Sequence, residues 1–129
     1  MKPIVAGYLE ASREDLAAVR QLIPTVPRAA AYHLQQAAEK LVKAVLSQEA
    51  IHMTVDHSID RLVERLPHGH EWRIDLKELD FLSQFATSFR YPSPSGRLPS
   101  PPDKATLERY VALIEALSAE VEAWCRGRV

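Results

Sequence analysis

From Arg28 to about Glu49 the chain reads RAAAYHLQQAAEKLVKAVLSQE, and this run constrains the fold more than any other. Alanine, leucine, glutamine, glutamate and lysine are strong helix formers. Leu34, Ala37, Ala38, Leu41 and Val45 recur at steps of three and four, which places them on one face of a helix. An amphipathic helix of this length is stable only when that face is covered, so the rest of the chain must supply neighbours. Residues 4 to 23 do so with Val5, Tyr8, Leu9, Leu16, Val19, Leu22 and Ile23 at the same spacing. Between the two runs lies PTVP; Pro24 and Pro27 forbid a continuous helix, and so short a turn makes the neighbours antiparallel.

The pattern continues downstream. Asp56 is placed to cap a short third helix running to Leu66, with Ile59, Leu62, Val63 and Leu66 inward. A fourth helix is predicted from Trp72 to Phe89 on the spacing of Leu76, Leu79, Leu82, Phe85 and Phe89, and Asp103 is the expected cap of a fifth that ends near Trp124. No segment reads as a strand. The expected fold is therefore all-α: an antiparallel up-and-down bundle of four long helices and one short one, in a single domain spanning residues 1–129. Between the last two helices, RYPSPSGRLPSPP carries five of the nine prolines and must be an extended surface loop, suited to a functional role or to a stiff linker.

Sixteen basic against seventeen acidic residues leave a formal charge of −1, so attraction to nucleic acid must come from a local patch rather than from the whole molecule. The single cysteine, Cys125, excludes an intramolecular disulfide and a multi-cysteine metal site, and fits a reducing cytoplasm. The apolar run of MKPIVAGYLEAS is interrupted by Gly7, Glu10 and Arg13 before a signal sequence is complete, and no stretch has the ~18 apolar residues of a membrane span. A cytoplasmic protein without a membrane partner is expected.

On the face of the second helix opposite Leu34, Leu41 and Val45 lie His33, Gln36, Lys40 and Lys43, a stripe of donors at steps of three and four. Such a stripe suits phosphate or acidic groups of a partner; it equally reads as a solvated face with a Glu39–Lys43 ion pair. His52, His57, His68 and His70 gather near Asp56 in sequence, but no two fall four apart on one predicted helix, and no glycine-rich phosphate loop or serine triad is present. No metal or cofactor is expected.

The segment AYHLQQAAEKLVKAVL resembles the central signature of HEPN domains (higher eukaryotes and prokaryotes nucleotide-binding), in which an aromatic residue precedes QQAxEKxxKA; Gln35, Gln36, Ala37, Glu39, Lys40, Lys43 and Ala44 match. His57 stands where that family has a histidine opening its third helix, and Arg90-Tyr91-Pro92 matches the RYP after its fourth long helix. The resemblance implies an up-and-down bundle that is usually dimeric and often paired with a small nucleotidyltransferase. It also implies, for many members, metal-independent ribonuclease activity from an arginine followed four to six residues later by a histidine. The segment YPSPSGR after Arg90 offers no such histidine. Arg28 and His33 have the bare R-x4-H spacing but sit at the start of the second helix, away from the family's motif, and are weak catalytic candidates.

These observations lead to a binding subunit rather than an enzyme. Nucleotide or RNA phosphates would be held by His33, Gln36, Lys40, Lys43, Arg90 and Tyr91, in a homodimer paired with a minimal nucleotidyltransferase in a two-component, toxin-antitoxin-like system. The alternatives are a metal-independent endoribonuclease and a purely structural dimeric module. If helix two's polar face were covered, Glu39, Asp80 or a bound phosphate would be needed as its counter-charge.

Overall fold

A computed structural model describes residues 1–53 and 55–128. Helix α1 (Pro3–Leu22) and helix α2 (Pro27–Gln48) begin with proline at the first helical position, where its missing N–H costs nothing. The turn between them closes through the N–H groups of Thr25 and Val26 on the Leu22 carbonyl. Lys2 Nζ reaches the carbonyls of Ser47 and Gln48 while Ser12 Oγ reaches that of Ala37, so the two helices run antiparallel.

Helix α2 is the axis of the molecule. Twelve of its residues are buried, including Leu34, Leu41, Val42, Val45 and Leu46, and α1, α3, α5 and the segment after α4 all pack on it. Five of the twelve are alanines, small enough for neighbouring helices to approach closely. Because the burial spreads beyond one stripe, the polar residues Gln35 and Glu39 are carried inside with the apolar ones.

The end of α2 is a Schellman motif. Ile51 N–H donates to the Leu46 carbonyl and Ala50 N–H to that of Ser47, and Ala50 takes the left-handed conformation, φ 56°, that usually calls for glycine.

Helix α3 (Ile59–Val63) is shorter than the predicted span from Asp56 to Leu66, and its cap is Ser58, whose side chain accepts from Arg61 N–H. Asp56 instead accepts from Ser58 N–H at 2.9 Å, two residues too early to start the helix. The N–H groups of Ile59 and Asp60 are taken by Ser83 Oγ and Asp80 Oδ1, and the last carbonyls by buried Arg73, whose Nη1 lies 2.5 Å from the Leu66 oxygen.

The predicted fourth helix is present but not as one α-helix. It opens as α4 (Arg73–Lys77), tightens into a 3-10 segment over Glu78–Phe85, and resumes as a 3-10 turn over Ser88–Arg90. The physical reason is in the spacing: Leu76, Leu79, Leu82 and Phe85 recur every third residue. A helix of three residues per turn keeps all four on one line, whereas an α-helix would rotate them progressively away. Leu76, Leu79, Leu82 and Phe85 are all buried. Helix α5 (Lys104–Arg126) starts at Asp103, whose side chain accepts from Thr106 N–H at 2.8 Å, and buries Leu107, Val111, Ile114, Leu117 and Val121. Counting the α4/3-10 stretch as one element, the bundle has four long helices and one short, and no strand occurs among the described residues. No helix among them is long and apolar enough to cross a membrane.

Candidate functional site

The donor stripe of α2 is consumed within the protein. His33 Nδ1 lies 2.9 Å from Asp15 Oδ1 and Lys40 Nζ 2.6 Å from Asp15 Oδ2, so one buried carboxylate of α1 takes both cation-forming side chains. A carboxylate only accepts, which places the shared proton on His33 Nδ1. The counter-charge for His33 and Lys40 is thus Asp15, and that for Lys43 is Glu39, as the sequence spacing suggests. Asp80 is occupied elsewhere, at the start of α3. Sequence reasoning missed Asp15; the available signal was that Ser12 and Asp15 interrupt the inner stripe of Val5, Leu9, Leu16 and Val19.

Gln36, Gln35, Glu39, Lys43 and His57 form a second network. Gln36 Nε2 donates to Gln35 Oε1 at 2.6 Å, and Gln35 Nε2 donates to Glu39 Oε1 at 3.2 Å. Glu39, 4% exposed, also receives Lys43 Nζ at 3.2 Å and His57 Nδ1 at 3.0 Å. A carboxylate so buried is tolerable because each oxygen has a partner. The residues of the QQAxEKxxKA pattern therefore act first as an internal hydrogen-bonded lattice that ties α2 to the chain entering α3.

A different locus has unused positive charge. The Arg90 guanidinium lies 4.3 Å above the Tyr32 ring and 5.7 Å from the Tyr91 ring, with no carboxylate in ion-pair distance among the described residues. Arg28, on the first turn of α2, donates from Nε to the Pro99 carbonyl at 2.9 Å and from Nη2 to the Phe89 carbonyl at 2.7 Å, and also lies over the Phe89 ring. Val26, Arg28, Ala29, Tyr32, Phe89 and Arg90 line one open cleft of about 180 Å3. Lys40 and Lys43 are not among them. The electrostatics follow from the sequence: residues 16–38 and 81–102, which build the cleft and the proline loop beyond it, contain no aspartate or glutamate. A protein of net charge −1 thus carries a patch whose charged side chains are arginines, against aromatic faces.

Arg28 and His33 are not brought together as a pair. Five residues apart on a helix they point to different sides, Arg28 to the loop carbonyls and His33 to Asp15. Tyr91 is 61% exposed beside Arg90. No group of three histidine, cysteine or carboxylate side chains able to hold a metal occurs among the described residues.

A family model described as the HEPN domain matches residues 5–124, nearly the whole length. No curated protein and no solved structure matches the chain.

Proposed function

The chain belongs to the HEPN domain family, whose roles are nucleotide- and RNA-related, and on that premise we propose that it is a nucleotide- or RNA-binding subunit holding phosphate at the Arg90 cleft. The observation that carries this reading is the Arg90 guanidinium lying over Tyr32 with no carboxylate partner. An arginine in that position has its fork of donors free for phosphate, and Tyr91 offers an exposed ring for a base. Arg28 supplies a second positive charge in the same cleft while its backbone bonds hold the loop in place. His33, Gln36, Lys40 and Lys43 serve this site as scaffold, fixing α2 against α1 and the chain entering α3, because each already bonds within the protein and each charged one has a carboxylate beside it. The family resemblance supports a cytoplasmic homodimer working beside a minimal nucleotidyltransferase in a two-component system.

Binding of a single-stranded RNA oligomer across a salt series tests this. Affinity should fall as salt rises, and Arg90→Ala should weaken binding and flatten that slope, by roughly one unit for each phosphate left without its cation. Lys40→Ala should leave the slope unchanged, since Asp15 neutralises that charge internally. Unchanged affinity in Arg90→Ala sinks the reading.

One observation favours a second reading, a metal-independent ribonuclease. Asp15 orients the half-buried His33 ring, and that ring stands edge-on to the Tyr32 ring, with centroids 5.3 Å apart, while Arg90 lies over the same Tyr32 ring. A histidine so oriented is suited to moving a 2′-hydroxyl proton. RNA cleavage in the presence of chelator that disappears in His33→Ala would establish it.

A further inference from the structure

On the side of the molecule formed by α4, the 3-10 segment and α5, aromatic surface is left uncovered. Ile74 is 78% exposed and Phe81 43% exposed. Phe81 reaches across to α5 and stacks on Tyr110, with ring centroids 5.3 Å apart and planes within 8°. Beside this stack runs an open groove lined by Glu78, Arg109, Tyr110 and Leu113. Most large apolar side chains of the described residues are buried, so a groove lined by Tyr110 and Leu113 beside the exposed Phe81 is an uncompensated apolar surface.

Its charges are arranged asymmetrically. One wall, on the 3-10 segment, carries Glu78, with Asp75 one turn earlier in α4; the other, on α5, carries Arg109, whose guanidinium lies 5.4 Å from the Tyr110 ring. Asp75, Glu78 and Arg109 are exposed and have no ion-pair partner among the described residues. Several other surface charges meet within the chain, as in Arg13–Glu122, Arg20–Glu115 and Arg128–Glu71. An acidic wall and a basic wall on either side of one apolar groove are what a two-fold symmetric contact needs, since each residue i then meets residue j of the other copy and j meets i.

We infer that this groove is the docking surface for a second copy of the chain, with Phe81 and Tyr110 at the centre and Glu78 of each copy against Arg109 of the other. A groove with walls of one sign would repel itself; this one is self-complementary. Behind the groove the Tyr110–Phe81 stack continues inward through the buried rings of Phe85 and Phe89 to the cation of Arg28, so the exposed face of Phe81 rests on a fixed aromatic row. This interface is that of the homodimer proposed above, and it rests on that dimer but not on what the cleft binds.

Sedimentation equilibrium of the full chain over a concentration series tests it, with four proteins: wild type, Glu78→Arg, Arg109→Glu and the double reversal. Wild type should be a dimer. Each single reversal should weaken association at least about tenfold by setting like charges face to face, and the double should recover most of the loss. Both positions are exposed, and a circular dichroism spectrum equal to wild type confirms that each variant folds. A wild-type monomer at every concentration overturns the dimer and with it this interface. A dimer indifferent to both single reversals, or a double as weak as the singles, overturns the interface while leaving the dimer standing.

Discussion

Lys40 Nζ lies 2.6 Å from Asp15 Oδ2 across the α1–α2 contact, and the same carboxylate takes His33 on its other oxygen. Asp15 is 8% exposed, so removing it leaves two donors and up to two charges without an acceptor in a half-buried place. Asp15→Ala should destabilise the protein by about 2–3 kcal/mol, and Lys40→Met by less, because methionine takes the lysine stem's place and the carboxylate keeps its histidine partner. Urea unfolding of both variants measures the difference. A cost near zero for Asp15→Ala would mean the triad adds nothing to stability.

Ala50 occupies the left-handed position that closes the Schellman motif after α2, at φ 56°. Alanine pays a steric cost there that glycine does not. Ala50→Gly should therefore stabilise the fold by about 0.5–1 kcal/mol, against the usual direction of an alanine-to-glycine change. Thermal unfolding decides it, and a lower melting temperature would contradict the assignment.

Asp103 caps α5, and hydrogen bonds from the Thr106 side chain and then its backbone N–H hold the carboxyl below its usual range. A carboxylate whose folded value is depressed contributes stability that is present above its unfolded value, about pH 4, and lost as pH falls through the folded one. Glu64, held low by Lys77 and then Arg73, adds to the same acid-side loss. Asp103→Asn still caps but does not titrate. The stability advantage of wild type over Asp103→Asn should shrink as pH is lowered below about 4, measured by urea unfolding at each pH. A pH-independent gap would refute this.

Cys125 is fully buried, and burial pushes its thiol up. Because only the thiolate reacts, alkylation by iodoacetamide near neutral pH should be slow in the native protein and fast in urea. Equal rates would show that the C-terminal end of α5 opens readily.

The three long α-helices could be read from the sequence because their signals are local: apolar steps of three and four in all of them, the prolines that break the chain between α1 and α2, and Asp103 as a cap whose acceptor serves an N–H three residues on. The family pattern on α2 was equally local. Such features depend on residues within a turn or two of one another, so the chain determines them without its fold. The split of the fourth helix was also written in the leucine spacing, but its consequence depends on α2 offering a straight line for those leucines to bury against.

What only the tertiary structure decided is which charges remain free. A helical wheel places His33, Gln36, Lys40 and Lys43 in one solvent-facing stripe, since it knows only the helix they belong to. Asp15 arrives from α1, across 18 to 25 positions of chain, and pairs His33 and Lys40, while Gln36 and Lys43 are taken by Gln35 and Glu39 of their own helix, the latter held also by His57 from the segment before α3. Arg90, in contrast, is brought onto Tyr32 from 58 positions away by the packing of the 3-10 turn on α2, where no carboxylate follows it. Counter-charge is a long-range property, because a buried carboxylate neutralises whichever cation the fold sets beside it, and sequence spacing does not say which that will be.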